Sequence, residues 1–184
     1  MLLDRIETII REHRLLEPGY KVLVGFSGGP DSLVLVHVLQ SLAARWQINL
    51  SLAHLNHQIR PEADADVEFV EKTALALHLP LQIKTVNVPR LAEQRRISIE
   101  EAGREARYRF FADAAQDAGA QAVALAHHAD DQVETILMRM IRGSGMRGLQ
   151  GIPIRRPLLP LVHIIRPLLE TTREEILYYL RGAN

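Results

Sequence analysis

The sequence has 184 residues, of which 47% are hydrophobic and 24% are charged, and these values are typical of one globular domain. They exclude disordered, collagen-like and low-complexity classes, and no apolar run reaches the roughly 18 residues that a transmembrane helix needs. The formal net charge is zero and cysteine is absent, which excludes disulfides, thiolate zinc sites, iron–sulfur clusters and thiol nucleophiles.

Segments with helical and strand-like apolar spacing alternate along the chain. Helices are predicted at 2–15, 31–44, 61–78, 98–118, 130–141 and 172–180, and strands at 21–26, 48–55, 81–88, 121–126 and 161–165. Ser98 and Glu101 have the spacing of a capping box at the start of the longest helix. Residues 89–97 are expected to form an irregular crossover with a short helical piece, and 142–160 a section with little periodicity.

This alternation predicts an α/β fold, namely a Rossmann-like, doubly wound parallel sheet of about five strands with helices on both faces. Ligands of such sheets bind outside the carboxyl ends of the strands, and the polar segments 27–31, 54–60 and 127–131 each follow a predicted strand. We therefore expect the functional site at that edge. The charged N-terminal segment does not read as a signal peptide, and with the absence of cysteine this favours a cytoplasmic location.

A tight polar turn between the first strand and the next helix carries the sharpest signal. It consists of Ser27, Gly28, Gly29, Pro30, Asp31 and Ser32. Glycines allow close backbone approach, and a helix N-terminus offers free N–H groups, so the turn is predicted to bind phosphate. It lacks the lysine of a Walker loop. Asp31 would repel an anion unless it holds Mg²⁺ bound to the phosphates; otherwise it serves only as a helix cap.

A second polar segment opens the helix after the fourth strand. Asp131 and Glu134 are three residues apart and so face the same side of its first turn, with His127 just before them. Pairing of these acids with the helix dipole is one interpretation, and a His/carboxylate metal site is another. The functional hypothesis is a two-carboxylate cup for a cationic substrate group, with His127 as an acid/base or adenylate-contacting group.

Arginines form two further candidate sites. Arg104 and Arg107 lie three residues apart on the long helix and are either solvated or a clamp for an acidic group. No acid occurs between Glu134 and Glu170, a stretch that carries six arginines. Arg142 and Arg147 within it lie in a Gly-rich segment that is either an ordinary surface loop or a contact for RNA phosphates.

The SGGPDS turn resembles the SGGxDS loop of the ATP pyrophosphatase superfamily. Further stretches resemble the bacterial tRNA(Ile)-lysidine synthase family and occur in its order over residues 20–180. They are AHLNHQIR, EEAGREARYRFF, AHHADDQVETILMRMIRGSGMRGLQGI and RPLLETTREEILYYL. The third is the most particular to that family. Residues 1–184 are accordingly expected to form a single N-terminal catalytic domain of the ATP-pyrophosphatase type that stops short of the family's C-terminal parts.

The resemblance implies a ligase that uses ATP and Mg²⁺ to adenylate C2 of the wobble cytidine in a tRNA(Ile) with a CAU anticodon. The ε-amine of free lysine then replaces AMP and gives lysidine. By the same resemblance, 27–32 would hold pyrophosphate, Asp131 and Glu134 the lysine ammonium, Arg107 the lysine or adenylate, and His127 would lie beside the reacting nucleotide. The alternatives are another ATP-pyrophosphatase synthetase that adenylates a small molecule, and an ATP-binding module without turnover.

Overall fold

The computed structural model of the chain describes residues 2–59, 63–143 and 150–182. In this part of the chain the helices are α1 (Leu2–Glu12), α2 (Pro30–Trp46), α3 (Ala63–Ala76), α4 (Val88–Arg95), α5 (Ile99–Ala118), α6 (Ala129–Ile141) and α7 (Arg173–Gly182). The strands are β1 (Lys21–Gly25), β2 (Asn49–Asn56), β3 (Leu81–Thr85), β4 (Ala122–Ala124), β5 (Arg155–Leu159) and β6 (Val162–Ile165). Helices and strands therefore alternate along most of the chain, as predicted.

The strands form one sheet in the order β3-β2-β1-β4-β6-β5. All neighbours pair in parallel except β5 and β6, which are antiparallel. The order reverses between β1, which leads outward to β2, and β4 on its other side. The carboxyl ends of β1, β2 and β4 therefore lie together at a switch point, where sheets of this kind bind their ligands.

Helices cover both faces of the sheet, which confirms the predicted doubly wound architecture. Val22 and Val24 of β1 pack on one face with residues of α1, α2, α3 and α7. Leu23, between them, packs on the other face with α4 and α5, including Phe110 and Phe111. Such alternation is required of a strand that is buried on both faces. Among the described residues, no helix combines the length and hydropathy needed to cross a membrane.

Two local predictions were wrong. A sixth strand, β5, lies in 142–160, where little periodicity was expected; it is an antiparallel edge strand, and Pro157 within it has no N–H to donate. The predicted strand 81–88 stops at Thr85, three residues earlier than expected, whereas the short helical piece expected within 89–97 is present as α4. Asn87 begins that helix, because its side chain accepts a hydrogen bond from the Arg90 N–H at 2.9 Å.

Gly25, at the junction between β1 and the phosphate-type turn, has no room for a side chain. A Cβ at Gly25 would lie 2.7 Å from Leu125 Cδ2 and 2.8 Å from Phe111 Cζ, and both side chains are buried. We expect Gly25→Ala to lower the free energy of unfolding by about 1–3 kcal/mol, as overpacking does. Urea denaturation checks this, with Gly182→Ala as control because nothing lies within 4 Å of a Cβ there. Equal stability of Gly25→Ala and wild type would contradict the prediction.

Candidate functional site

The turn at 27–32 is folded around two hydroxyl groups. Ser27 Oγ lies 3.1 Å from Ser32 Oγ, and Ser32 Oγ donates to the Gly29 carbonyl at 2.9 Å. Gly28 has a φ of +84°, in the region that favours glycine. Gly29 is the N-cap of α2 and provides no side-chain cap, so the first N–H groups of α2 stay free for an anion. The predicted phosphate geometry is therefore present, with Pro30 as the first helical residue.

Asp31 fits the predicted cation-binding group. Its Oδ1 is a buried atom without a hydrogen-bond partner among the described residues, and its Oδ2 lies 3.9 Å from His128 Nε2. A buried carboxylate oxygen without a donor is costly unless a cation or another donor reaches it. No group of three or more potential metal-ligating side chains occurs in the described ranges, so Asp31 would share a cation with ligand oxygens.

A cavity of about 480 Å³, called here the first cavity, lies at the carboxyl ends of β1, β2 and β4. The predicted site residues that line it are Ser27, Asp31, Ser32, Arg107, His127 and Asp131. It is therefore the place where the turn and the predicted helix-borne groups come together, as expected from the switch point.

The first cavity also contains residues for which no role was predicted. His54, Asn56 and His57 line it from the end of β2. His54 Nδ1 lies 2.8 Å from the Phe26 carbonyl oxygen, which fixes the ring beneath the cavity. Burial, and then the positive charge of Arg107, lowers the pKa of His57 to about 4. The sequence places these three residues at the end of a predicted strand, which is where a ligand site is expected. That position does not show which of them faces the cavity.

His127 is a neutral hydrogen-bond donor toward the site. Burial, followed by the charge of Arg166, lowers the pKa of His127 to about 4, although Asp131 acts in the opposite direction. Arg166 Nε lies 3.3 Å from His127 Nδ1, and a guanidinium can only donate, so Nδ1 accepts. The proton of the neutral ring is therefore on Nε2. Of the roles expected for His127, this arrangement favours contact with an anionic oxygen over proton abstraction.

A second cavity, of about 390 Å³, shares His127 and Asp131 with the first. Glu134 lines the second cavity and is absent from the lining of the first. Asp131 Oδ2 also accepts a hydrogen bond from the His128 N–H at 2.9 Å, which stabilises the start of α6. The two carboxylates thus face one cavity, as the spacing predicts, but only Asp131 also borders the first.

The remaining predicted arginines lie apart from one another. Arg107 lines the first cavity and Arg104 the second, so these two do not form a single clamp. Arg142 is exposed at the C-terminal end of α6, roughly 16 Å along the helix axis from Asp131 at 1.5 Å per residue. Arg147 lies outside the described residues.

Acid should destabilise this fold between about pH 6.5 and about pH 4. In that window the unfolded chain protonates His57 and His127 while the folded chain keeps both neutral, since their folded pKa values are about 4. The free energy of unfolding therefore falls as the pH falls through the window and is constant above it. We expect His127→Gln to remove up to about 3 kcal/mol of this loss, at about 1.36 kcal/mol per pKa unit.

Urea unfolding of wild type and His127→Gln from pH 4 to pH 7 measures this effect. The exposed His78 provides the matched control, His78→Gln. A difference in stability between wild type and His127→Gln that does not vary with pH would contradict the burial of a neutral His127.

Comparison with known proteins places this geometry in a family. A family model described as a PP-loop domain matches residues 3–184. A tRNA(Ile)-lysidine synthase of Symbiobacterium thermophilum is 49% identical over 183 residues, covering 98% of this chain and 37% of that protein. The enzyme of that name from Geobacter sulfurreducens is 46% identical over 180 residues, covering 97% and 37%. The chain thus spans less than two fifths of the length of these two curated relatives.

Solved structures share the fold at low sequence identity. A U34-tRNA thiolase, NcsA, from Methanococcus maripaludis has a TM-score of 0.79 at 19% identity, covering 99% of this chain and 63% of that one. An NH3-dependent NAD synthetase from Campylobacter jejuni has a TM-score of 0.63 at 16% identity, covering 100% and 72%. These similarities confirm the Rossmann-like α/β architecture and concern the fold alone.

Proposed function

The chain belongs to the PP-loop domain family, and from that premise we propose that it is the ATP-handling part of a tRNA(Ile)-lysidine synthase. The observation that carries the proposal is the pair of adjoining cavities that share His127 and Asp131. The first cavity contains the phosphate-type turn, and the second is lined by Asp131 and Glu134 together with arginines. A nucleotide and an amine would therefore meet near the two shared residues.

The proposed reaction has two steps. The C2 oxygen of the wobble cytidine in tRNA(Ile) with a CAU anticodon attacks the α-phosphorus of ATP, and pyrophosphate leaves. The ε-ammonium of lysine first gives a proton to solvent, and the resulting amine attacks C2. The bond from C2 to the adenylate oxygen breaks with its electron pair on oxygen, AMP leaves, and a second proton passes from the attacking nitrogen to solvent. Both steps build negative charge on phosphate oxygens, which free N–H groups and cationic side chains stabilise.

The turn would bind the pyrophosphate portion of ATP through the free N–H groups at the start of α2 and the hydroxyls of Ser27 and Ser32. Asp31 would hold Mg²⁺, which neutralises phosphate charge when bound. The unpartnered Oδ1 of Asp31 supports this role, because a cation would satisfy it. Arg107, which is exposed on the wall of the first cavity, would pair with the adenylate or lysine.

His127 would donate from Nε2 to an oxygen of the adenylate, since its Nδ1 accepts from Arg166. Asp131 and Glu134 would hold the ammonium groups of lysine. The position of Asp131 between the cavities supports its placement nearer the reacting carbon. A carboxylate there also favours the approach of the cationic amine before the amine loses its proton.

The proposed partners are tRNA(Ile) with a CAU anticodon and free lysine. Arg142 and Arg147 would contact RNA phosphates, in an acid-free stretch between Glu134 and Glu170. Residues 1–184 would act as one catalytic domain, and the proposed location is the cytoplasm, where tRNA and ATP are both available.

The decisive experiment measures pyrophosphate release from ATP with tRNA(Ile) bearing CAU, with and without free lysine, and detects lysidine in digested RNA. We expect release to depend on the RNA, and lysidine to form only when lysine is added. Pyrophosphate release that needs a small molecule but no RNA would favour another synthetase of the superfamily. ATP binding without release, persisting in a chain extended beyond residue 184, would favour a binding module.

A further inference from the structure

The second cavity has a wall of arginines whose role the proposed function leaves open. Arg156 of β5 and Arg104 of α5 both stack on Tyr108, with their Cζ atoms 4.4 and 5.3 Å from the ring centroid. Arg166, which follows β6, is 2% exposed and donates to the Pro153 carbonyl at 2.6 Å. Three guanidinium groups from three elements thus converge on one phenol ring.

No acidic side chain neutralises this cluster within the described ranges. None of the carboxylates there lies within 4.0 Å of a guanidinium of Arg104, Arg156 or Arg166. Burial raises the pKa of Tyr108, but the positive charges of Arg156, Arg166 and Arg104 together lower it below its ordinary value. Burial and neighbouring charge also lower the pKa of Arg166. Like charges held this close are stabilised by a bound anion.

The same cavity also contains carboxylates. Asp131, Glu134 and the cationic Arg139 line it from α6, together with Arg104, Arg156 and Arg166. A cavity of about 390 Å³ that is lined by both cationic and anionic side chains suits a small molecule that carries both charges. An RNA phosphodiester has no positive charge to meet the two carboxylates, which would repel it. The cavity chemistry therefore favours a free amino acid.

We infer that Arg104 and Arg156, with Arg166 and Tyr108 at their base, bind the α-carboxylate of the amino-acid substrate. This inference rests on the proposed function and adds the means by which the amino acid is distinguished from a simple diamine. Guanidinium groups bind carboxylates through paired hydrogen bonds. The four-carbon stem of lysine would then extend toward Asp131, which lines both cavities.

Lysine and lysinamide together test the inference, because lysinamide keeps both amino groups and carries a neutral amide in place of the carboxylate. The assay is run at about pH 6.5, where both amino groups of either ligand are protonated. The wild-type protein should have a KM for lysinamide about 10- to 150-fold above that for lysine, which is the range of one charged hydrogen bond. Arg156→Ala should raise the KM for lysine by a similar factor and leave that for lysinamide within about twofold. The difference between the two ligands would then be lost.

Arg104→Gln is a second variant, chosen because Arg104 is exposed and its replacement does not disturb the core. Arg109→Ala is the control, since Arg109 is exposed on the same helix and is not among the residues that line the cavity. We expect Arg104→Gln to act like Arg156→Ala and Arg109→Ala to act like wild type. Thermal melts of all variants verify the fold.

Equal use of lysine and lysinamide by the wild-type protein would overturn the inference and leave the proposed function standing. If Arg156→Ala and Arg104→Gln raise the KM for tRNA and leave the KM for lysine unchanged, the arginine cluster binds an RNA phosphate. That result would also overturn the inference. If the wild-type protein forms no lysidine under any condition, the proposed function fails and the inference fails with it.

Discussion

Asp31→Asn is expected to weaken the binding of magnesium-ATP by at least about 100-fold, while binding of ATP without metal stays equal or becomes tighter. The affinities for the two forms of ATP change in opposite directions because of the groups beside the Asp31 carboxylate. Asp31 lies in the first turn of α2, beside the free N–H groups that would hold phosphate. Its negative charge repels a bare phosphate and attracts one only through a shared cation.

The alternative role for Asp31, a simple helix-terminal acid, predicts a different result. An acid at a helix N-terminus contributes about 0.3–1 kcal/mol to stability through the helix dipole. Its neutralisation would then cost that amount of stability, and it would improve ATP binding with or without metal. Asparagine has nearly the size of aspartate, so neither result comes from a cavity in the fold.

Isothermal titration of ATP with excess Mg²⁺, and again with EDTA, separates these cases. Glu100→Gln is the control, because Glu100 is also an acid in the first turn of a helix but is exposed on α5, away from the turn. We expect Glu100→Gln to bind both forms of ATP as wild type does. Tighter binding of magnesium-ATP by Asp31→Asn would remove the metal role of Asp31.

The sequence predicted the architecture well because alternation and turn chemistry are local signals. The short Val-rich run KVLVG favours a strand buried on both faces, and SGGPDS supplies glycines where the chain must turn tightly. Placing the site at the carboxyl ends of the strands followed from topology alone. The edge strand β5 was missed because it begins with two arginines followed by Pro157, so it shows no alternation of polar and apolar residues.

The limits of the site prediction have a different cause. The spacing of Asp131 and Glu134 placed both on one side of α6, but it could not show that Asp131 lines both cavities whereas Glu134 is absent from the first. Arg156 and Arg166 lie far from Arg104 in sequence and meet at Tyr108 only because β5 and β6 pack beside α5. Contacts that join distant segments depend on tertiary packing, which local periodicity does not encode.

Asp131→Asn is the prediction with the next largest effect: the KM for lysine should rise by about 100-fold. Asparagine keeps an oxygen that can accept from the His128 N–H, so the start of α6 is preserved. The loss of this charge would weaken the binding of lysine and would not change the protonation state of His127. Because Asp131 raises the pKa of His127, its neutralisation lowers that pKa further, and the ring stays neutral at pH 7.

Steady-state lysidine formation at varied lysine concentrations measures this, with RNA-dependent pyrophosphate release as the readout of the first step. Asp130→Asn is the matched control: Asp130 lies in the same turn, accepts from the Arg173 N–H at 2.9 Å and does not line the second cavity. Glu134→Gln should raise the KM for lysine less than Asp131→Asn does, because Glu134 is exposed and, of the two cavities, lines only the second. An unchanged KM in Asp131→Asn would place the amine elsewhere. A larger effect of Glu134→Gln than of Asp131→Asn would reverse the proposed order, with the reacting amine nearer Glu134.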